Sequence, residues 1–148
     1  MNAERRPLEE QVVVRKTAKL LIPFVVVFGV YMITHGEIGP GGGFQGGVVI
    51  AAGYFLYALV HGLAEVQRVV PRRVTDALAA LGVLLYAGVG VAALLRGGRF
   101  LEYAALGAPA DAVASRALGM TLVELGVGVT VAATMITIFN EVVDDGGA

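Results

Sequence analysis

The chain has 148 residues, of which 57% are hydrophobic and only 16% are charged, and it contains no cysteine. Since soluble domains carry about a quarter charged residues, this composition indicates an integral membrane protein. The formal net charge of -1 gives no basic or acidic excess that would indicate a nucleic acid partner, and a chain without cysteine supplies no disulfide, thiolate metal site or iron–sulfur ligand.

Four apolar segments follow one another along the chain, each approaching or reaching the ~20 residues that a helix needs to cross a bilayer. They predict an all-α integral membrane protein with a single domain over residues 1–148 and four transmembrane helices, at about residues 18–34, 47–63, 77–95 and 121–139. A basic cluster precedes the first segment, as in a signal peptide, but the apolar run ends in YMITHGE without the small residues of a cleavage site. We therefore expect the first segment to remain as a membrane helix.

Lysine and arginine predict the orientation of these helices. Five basic residues lie in the N-terminal tail (Arg5, Arg6, Arg15, Lys16, Lys19) and three in the second connection (Arg68, Arg72, Arg73), whereas the first connection, residues 35–46, has none. The positive-inside rule then places both termini on the cytoplasmic side of the cell membrane. The third connection carries Arg96, Arg99 and Arg116, and these basic residues oppose this orientation. Its segment FLEYAALG is expected to lie on the membrane surface.

The first connection is the glycine-rich stretch HGEIGPGGGFQGG, residues 35–47. Its GGGFQG window fits the dinucleotide pattern G-x-G-x-x-G, but that pattern needs a preceding strand within a soluble βαβ unit, and the flanking segments here are membrane helices. Non-helical backbone near membrane depth is stable only where protein or enclosed water satisfies its polar groups. Because a solvated linker seldom carries a large aromatic residue, Phe44 favours a segment packed against partner protein over a flexible external turn.

The same stretch carries a family resemblance. THGEIGPGGGFQGGVVIAAGYFLYAL and, two helices later, LVELGVGVTVAATMITIFNE resemble the MnhB/MrpB subunit of multisubunit Na+/H+ antiporters and related subunits of membrane-bound hydrogenase-type complexes. The likeness covers residues 17–140. The motif positions that match are His35, Gly36, Pro40, Gly41, Gly42, Gly43, Phe44, Gly46 and Gly47.

The resemblance implies a small membrane subunit of a cation/proton antiporter complex rather than an enzyme, with no cofactor or metal. Such a subunit contributes to assembly and, as an open alternative, to the ion path. Its partners are the other subunits and the lipid bilayer. The complex transports Na+ and H+ in pH homeostasis. Many antiporter members read GHxxPGGGF, whereas this chain reads HGEIGPGGGF, a variant that also fits the hydrogenase-type relatives. A subunit of an ion-pumping hydrogenase-like respiratory complex and a purely structural scaffold therefore remain alternatives.

Few residues are candidates for an ion path. Glu124 is the only acid inside an apolar span, where an ionised carboxylate is costly unless it faces a partner or water. Two interpretations stay open: the carboxylate reaches the membrane interface or helps helix packing, or it faces a subunit interface and serves the proton or cation route. His35 and Glu37 are candidates for receiving a cation or proton at the outer mouth, and a solvated pair in the loop is the alternative. His61 shares a helix face with Gly47, Tyr54 and Tyr57, a pattern more typical of the membrane interface than of a proton wire. Small residues on the third and fourth helices favour close helix packing.

Overall fold

The computed structural model describes residues 8–36, 39, 41–107 and 112–145, with side chains from residue 12 to residue 144. Two of the predicted site residues, Glu37 and Pro40, lie outside the described residues. The described part is helical, which confirms the all-α prediction. Its elements are α1 (Leu8–Thr34), α2 (Gly43–His61), α3 (Leu63–Val69), α4 (Arg72–Leu95), a 3-10 turn (Tyr103–Leu106) and α5 (Ala112–Asp145).

Four of these helices, α1, α2, α4 and α5, are long and apolar enough to cross a membrane. Each begins before its apolar segment: α2 starts at Gly43 rather than at 47, and α4 at Arg72 rather than at 77. Hydropathy marks only the part of a helix that suits hydrocarbon, whereas the backbone hydrogen bonds continue through polar residues beyond it. The 34 residues of α5 span about 51 Å at 1.5 Å per residue, well beyond the ~30 Å hydrocarbon core.

The four long helices pack in the order α1, α2, α5, α4, with α2 and α5 at the centre. Helices α2 and α5 run in the same direction, because the first turn of α2 contacts Glu124 in the first half of α5, and Tyr54 further along α2 bonds to Asn140 further along α5. The outer helices α1 and α4 run antiparallel to the neighbours they contact. Short α3 follows α2 after a turn at Gly62, whose φ is 93°, and Val66 of α3 joins the core formed by Tyr54 and Ile136.

Glycines lie at the places where the long helices cross. A Cβ built on Gly46 of α2 would lie 2.6 Å from the Gly29 carbonyl oxygen of α1, and one built on Gly47 would lie 2.5 Å from the Gly128 carbonyl oxygen of α5. At the third crossing, a Cβ on Gly82 of α4 would lie 2.6 Å from the Gly126 carbonyl oxygen. Since real Cβ atoms do not approach oxygen this closely, all three crossings depend on glycine, and the small residues bring backbones together.

Candidate functional site

The glycine-rich stretch forms the connection between α1 and α2 and then the first turn of α2. The φ angles of Gly41 and Gly42 are 145° and 137°, in a region of backbone conformation that residues other than glycine rarely adopt. From Gly43 onward the chain is helical, and the Gly46 amide already donates to the Gly42 carbonyl oxygen. The prediction of a loop through Gly46 was therefore too long: Gly43, Phe44, Gly46 and Gly47 belong to α2. Glycine does not stop a helix whose neighbours pack closely enough to stabilise it.

Glu124 of α5 lies directly against this stretch. A Cβ built on Gly36 would lie 2.5 Å from each carboxylate oxygen of Glu124, and one built on Gly42 would lie 3.6 Å from its Oε1. A Cβ on Gly43 would collide with the Glu124 backbone carbonyl. The absence of side chains at Gly36 and Gly43 thus makes the space in which Glu124 sits, whereas a Cβ at Gly42 would make only an ordinary contact with it.

The surroundings of the Glu124 carboxylate suit a negative charge. It lies beside Gly42, the N-cap of α2, which provides no side-chain cap for the helix, and the N-terminus of a helix carries a partial positive charge from its peptide dipoles and free N–H groups. The side chain is half-buried. An acid here supplies the charge that capping residues normally provide, but from another helix.

Tyr103, in the 3-10 turn between α4 and α5, covers part of the same region. A Cβ on Gly119 of α5 would lie 2.6 Å from the Tyr103 ring. Burial raises the pKa of the Tyr103 hydroxyl, and the charges of Tyr86 and Glu124 act in the same direction. The protonated hydroxyl, which can donate a hydrogen bond, is therefore favoured.

The other predicted ion-path residues are divided between the two ends of the bundle. His35 flanks Gly36 at the Glu124 end, where its ring stacks on Tyr31 with centroids 4.2 Å apart and its Nδ1 lies 3.1 Å from the Thr34 hydroxyl. His61 lies at the far end of α2, roughly 27 Å from Gly43 at 1.5 Å per residue, and stacks on Tyr57. The structure thus brings His35 and Glu124 to one end and separates His61 from both.

Phe44 makes little contact within the chain. It predicts packing against partner protein, and 60% of its surface is exposed in this chain. The neighbouring glycines of α2, rather than Phe44, make the contacts with α1 and α5. Phe44 is free to meet lipid or another subunit, so its contact with partner protein stays a prediction.

Sequence reasoning missed one signal in the same stretch. Gly43 and Gly47 are four residues apart, which puts both on one face of α2, and both lie against α5, at Glu124 and Gly128. This is the small-xxx-small spacing of close membrane helix pairs. It was overlooked because α2 was started at residue 47, and extending the helix to the glycine pair before Phe44 would have revealed it.

Three clefts on the helix bundle are lined almost wholly by apolar side chains. Their volumes are about 220, 260 and 290 Å³, and the largest lies between α1, α2, α3 and α5 beside Tyr54 and Tyr57. No group of three or more His, Asp and Glu residues that could hold a metal ion occurs within the described ranges.

Comparisons with known proteins find relatives over most of the chain. A family model described as a domain related to the MnhB subunit of Na+/H+ antiporter matches residues 13–137. The chain is 27% identical over 136 residues to a putative antiporter subunit mnhB2 of Staphylococcus haemolyticus, covering 88% of this chain and 92% of that protein. It is 35% identical over 63 residues to the protein of that name in Staphylococcus aureus strain Newman, covering 43% and 45%.

A further relative is longer than this chain. An uncharacterized protein of Methanocaldococcus jannaschii is 38% identical over 77 residues, which are 52% of this chain but only 29% of that protein. The match extends to a minor part of that protein's length. It shows a shared segment and says nothing about the remainder of the longer protein.

Proposed function

Since the chain belongs to the family of domains related to the MnhB subunit of Na+/H+ antiporters, we propose that it is a small membrane subunit of a multisubunit cation/proton antiporter complex in the cell membrane. It assembles with the other subunits through its exposed apolar faces. Its own contribution to the ion path is the acid Glu124, held at one end of the bundle by the glycine stretch.

The observation that carries this role is the contact of the Glu124 carboxylate with Gly36 and Gly42. A charged carboxylate near the membrane is costly unless it is stabilised, and here the N-terminus of α2 stabilises it. The acid is half-buried, so it remains open on one side. From that side it attracts a cation or a proton arriving at the mouth of the bundle, where His35 also lies.

The orientation proposed for the chain puts this mouth on the outer side. Arg68, Arg72 and Arg73 lie at the opposite end, around α3 and the start of α4, and basic residues concentrate on the cytoplasmic side. Both termini are then cytoplasmic, and Glu124 and His35 face outward.

Cysteine labelling tests this orientation, because the chain has no cysteine of its own. A cysteine replacing Asp76, which is exposed near the start of α4, should react with an impermeant maleimide only after cells are opened. Reaction in intact cells would reverse the orientation. A cysteine replacing Arg99, exposed on the connection between α4 and α5, is the matched control and should react from outside.

Replacing Glu124 with glutamine tests the role of the charge. Glu124→Gln keeps the size and the hydrogen-bonding atoms, so complexes should assemble, but antiport in everted vesicles should fall at least several-fold or shift its pH dependence. Glu102→Gln is the control, because Glu102 is an exposed acid on the third connection that accepts from the Arg99 amide. Wild-type antiport at every alkaline pH with Glu124→Gln would leave the chain as a scaffold subunit.

A further inference from the structure

A second polar site lies at the end of the bundle remote from Glu124. The Tyr54 hydroxyl of α2 donates to Asn140 Oδ1 of α5 over 3.0 Å. Tyr54 is 7% exposed and Asn140 is 1% exposed, and the two lie beside the apolar core residues Ala58 and Ile136. An amide buried this completely between membrane helices needs partners for all its polar atoms.

The amide nitrogen of Asn140 does not have one within the described residues. Its Nδ2 is buried and makes no hydrogen bond there, although its oxygen is paired with Tyr54. Leaving a buried donor unpaired forfeits its hydration without compensation, so native proteins pair such groups with protein or with bound water. The acceptor for Asn140 Nδ2 must therefore be a group other than the described residues that surround it.

The nearby acids are engaged or exposed. Glu141, the next residue of α5, pairs with Arg72 of α4, and Asp144, one turn further along, is exposed. The Nδ1 atom of His61 is buried and makes no hydrogen bond within the described residues either. His61 lies two turns beyond Tyr54 on the same face of α2, roughly 10 Å along the helix, so two unsatisfied polar atoms follow each other toward the end of the bundle.

We propose that a bound water molecule lies between α2 and α5 and accepts a hydrogen bond from Asn140 Nδ2. Water enters from the end of the bundle where His61 lies. The site is closed on the other side, because the backbones at Gly47 and Gly128 are in contact and leave no space for water between the helices. The proposed water thus occupies an inlet that ends at Tyr54. This inference rests on the Asn140 amide and does not depend on the role of Glu124.

Hydroxyl-radical labelling of the assembled complex in lipid nanodiscs tests the proposal. Brief X-ray exposure generates radicals from water, including water bound inside a protein, and they oxidise the nearest side chains. Tyr54 should be oxidised several-fold faster than Phe139, an aromatic ring 6.4 Å from it that has no polar atom to bind the water and reacts with radicals at a comparable intrinsic rate. Equal rates for the two rings in the wild-type complex would overturn the proposal, whether the pocket is dry or a neighbouring subunit supplies the acceptor.

Asn140→Leu locates the water. The substitution removes both polar atoms of the amide at similar volume, so the oxidation of Tyr54 should fall to the rate of Phe139. Unchanged fast oxidation of Tyr54 would mean that its water is not held by Asn140, and would overturn the assignment. If Asn140→Leu prevents assembly, the wild-type comparison of Tyr54 with Phe139 still decides between a wet and a dry pocket.

Discussion

The two ends of the α2–α5 contact are built in opposite ways. At the Glu124 end the backbones touch: a Cβ has no room at Gly43 or Gly47. At the other end the space between the helices is filled by side chains, with the Tyr54–Asn140 hydrogen bond and the rings of Phe55 and Phe139 stacked 4.6 Å apart. The same two parallel helices are therefore in direct contact at one end and separated by aromatic side chains at the other.

This difference shows how the chain distributes rigidity. Backbone contact allows almost no adjustment, because any added atom meets a carbonyl group. Side-chain contact allows rotamers and water to adjust. The acid that is proposed to act, Glu124, lies at the rigid end, where its position is fixed by backbone, and the proposed hydrated inlet lies at the adaptable end. Substitutions at the two ends should consequently differ in size of effect.

The largest effect is expected at Gly43. Gly43→Val places a branched side chain against the Glu124 backbone carbonyl, so the α2–α5 contact has to open. Overpacking typically costs about 1–3 kcal/mol and occasionally more, and we expect Gly43 at or above the upper end because the clashing atom is backbone. The subunit should still insert, but complex recovered by blue native electrophoresis should fall sharply.

Gly88→Val provides a matched control for this substitution. Gly88 also lies within a membrane helix, but a Cβ there would meet nothing within 4 Å. Complex with Gly88→Val should be recovered at near wild-type level. Normal assembly with Gly43→Val and Gly42→Val combined would contradict the close contact and would favour a flexible turn.

Much of this architecture follows from the sequence. The number of spans is evident because uninterrupted apolar runs such as residues 77–95 have few alternatives in a chain of this composition. The importance of residues 35–47 is also evident, since so many glycines are costly in ordered backbone unless close contact requires them. The spacing of Gly43 and Gly47 was readable too, once the helix was allowed to begin at the glycines.

The partners across the bundle could not be predicted. Glu124 was expected to meet another subunit, a contact that stays a prediction, and nothing local indicates that its carboxylate also lies on Gly36, because 88 residues separate the two positions. Asn140 gave no signal either: it stands near the end of an apolar run, where an amide is as easily exposed as buried. Such contacts depend on which helices are neighbours, and a single apolar pattern does not specify neighbours.

A moderate effect is expected at the adaptable end. Tyr54→Phe removes the hydroxyl that pairs with Asn140 while keeping the ring, so the cost should be about 1 kcal/mol, the usual size for a hydrogen bond between membrane helices. Steric-trapping or denaturant titration of the subunit in bicelles would measure it. Tyr31→Phe is the control, because the Tyr31 ring is 53% exposed and stacks on His35. A loss of stability larger than that caused by Gly43→Val would reverse the proposed difference between the two ends.

The smallest effect is expected at the ion pair between Arg72 of α4 and Glu141 of α5. Their side chains are 53% and 46% exposed, and ion pairs open to solvent contribute about 0–1 kcal/mol because water and salt screen them. The α4–α5 contact rests instead on the crossing of Gly82 with Gly126.

Arg72→Gln should therefore lower stability by less than about 0.5 kcal/mol, and a double-mutant cycle with Glu141→Gln should show a coupling that shrinks in high salt. Arg73→Gln, at the exposed neighbouring position, should behave like the wild type. A salt-insensitive coupling well above 1 kcal/mol would mean that charge, rather than packed backbone, holds α4 to α5 at this end.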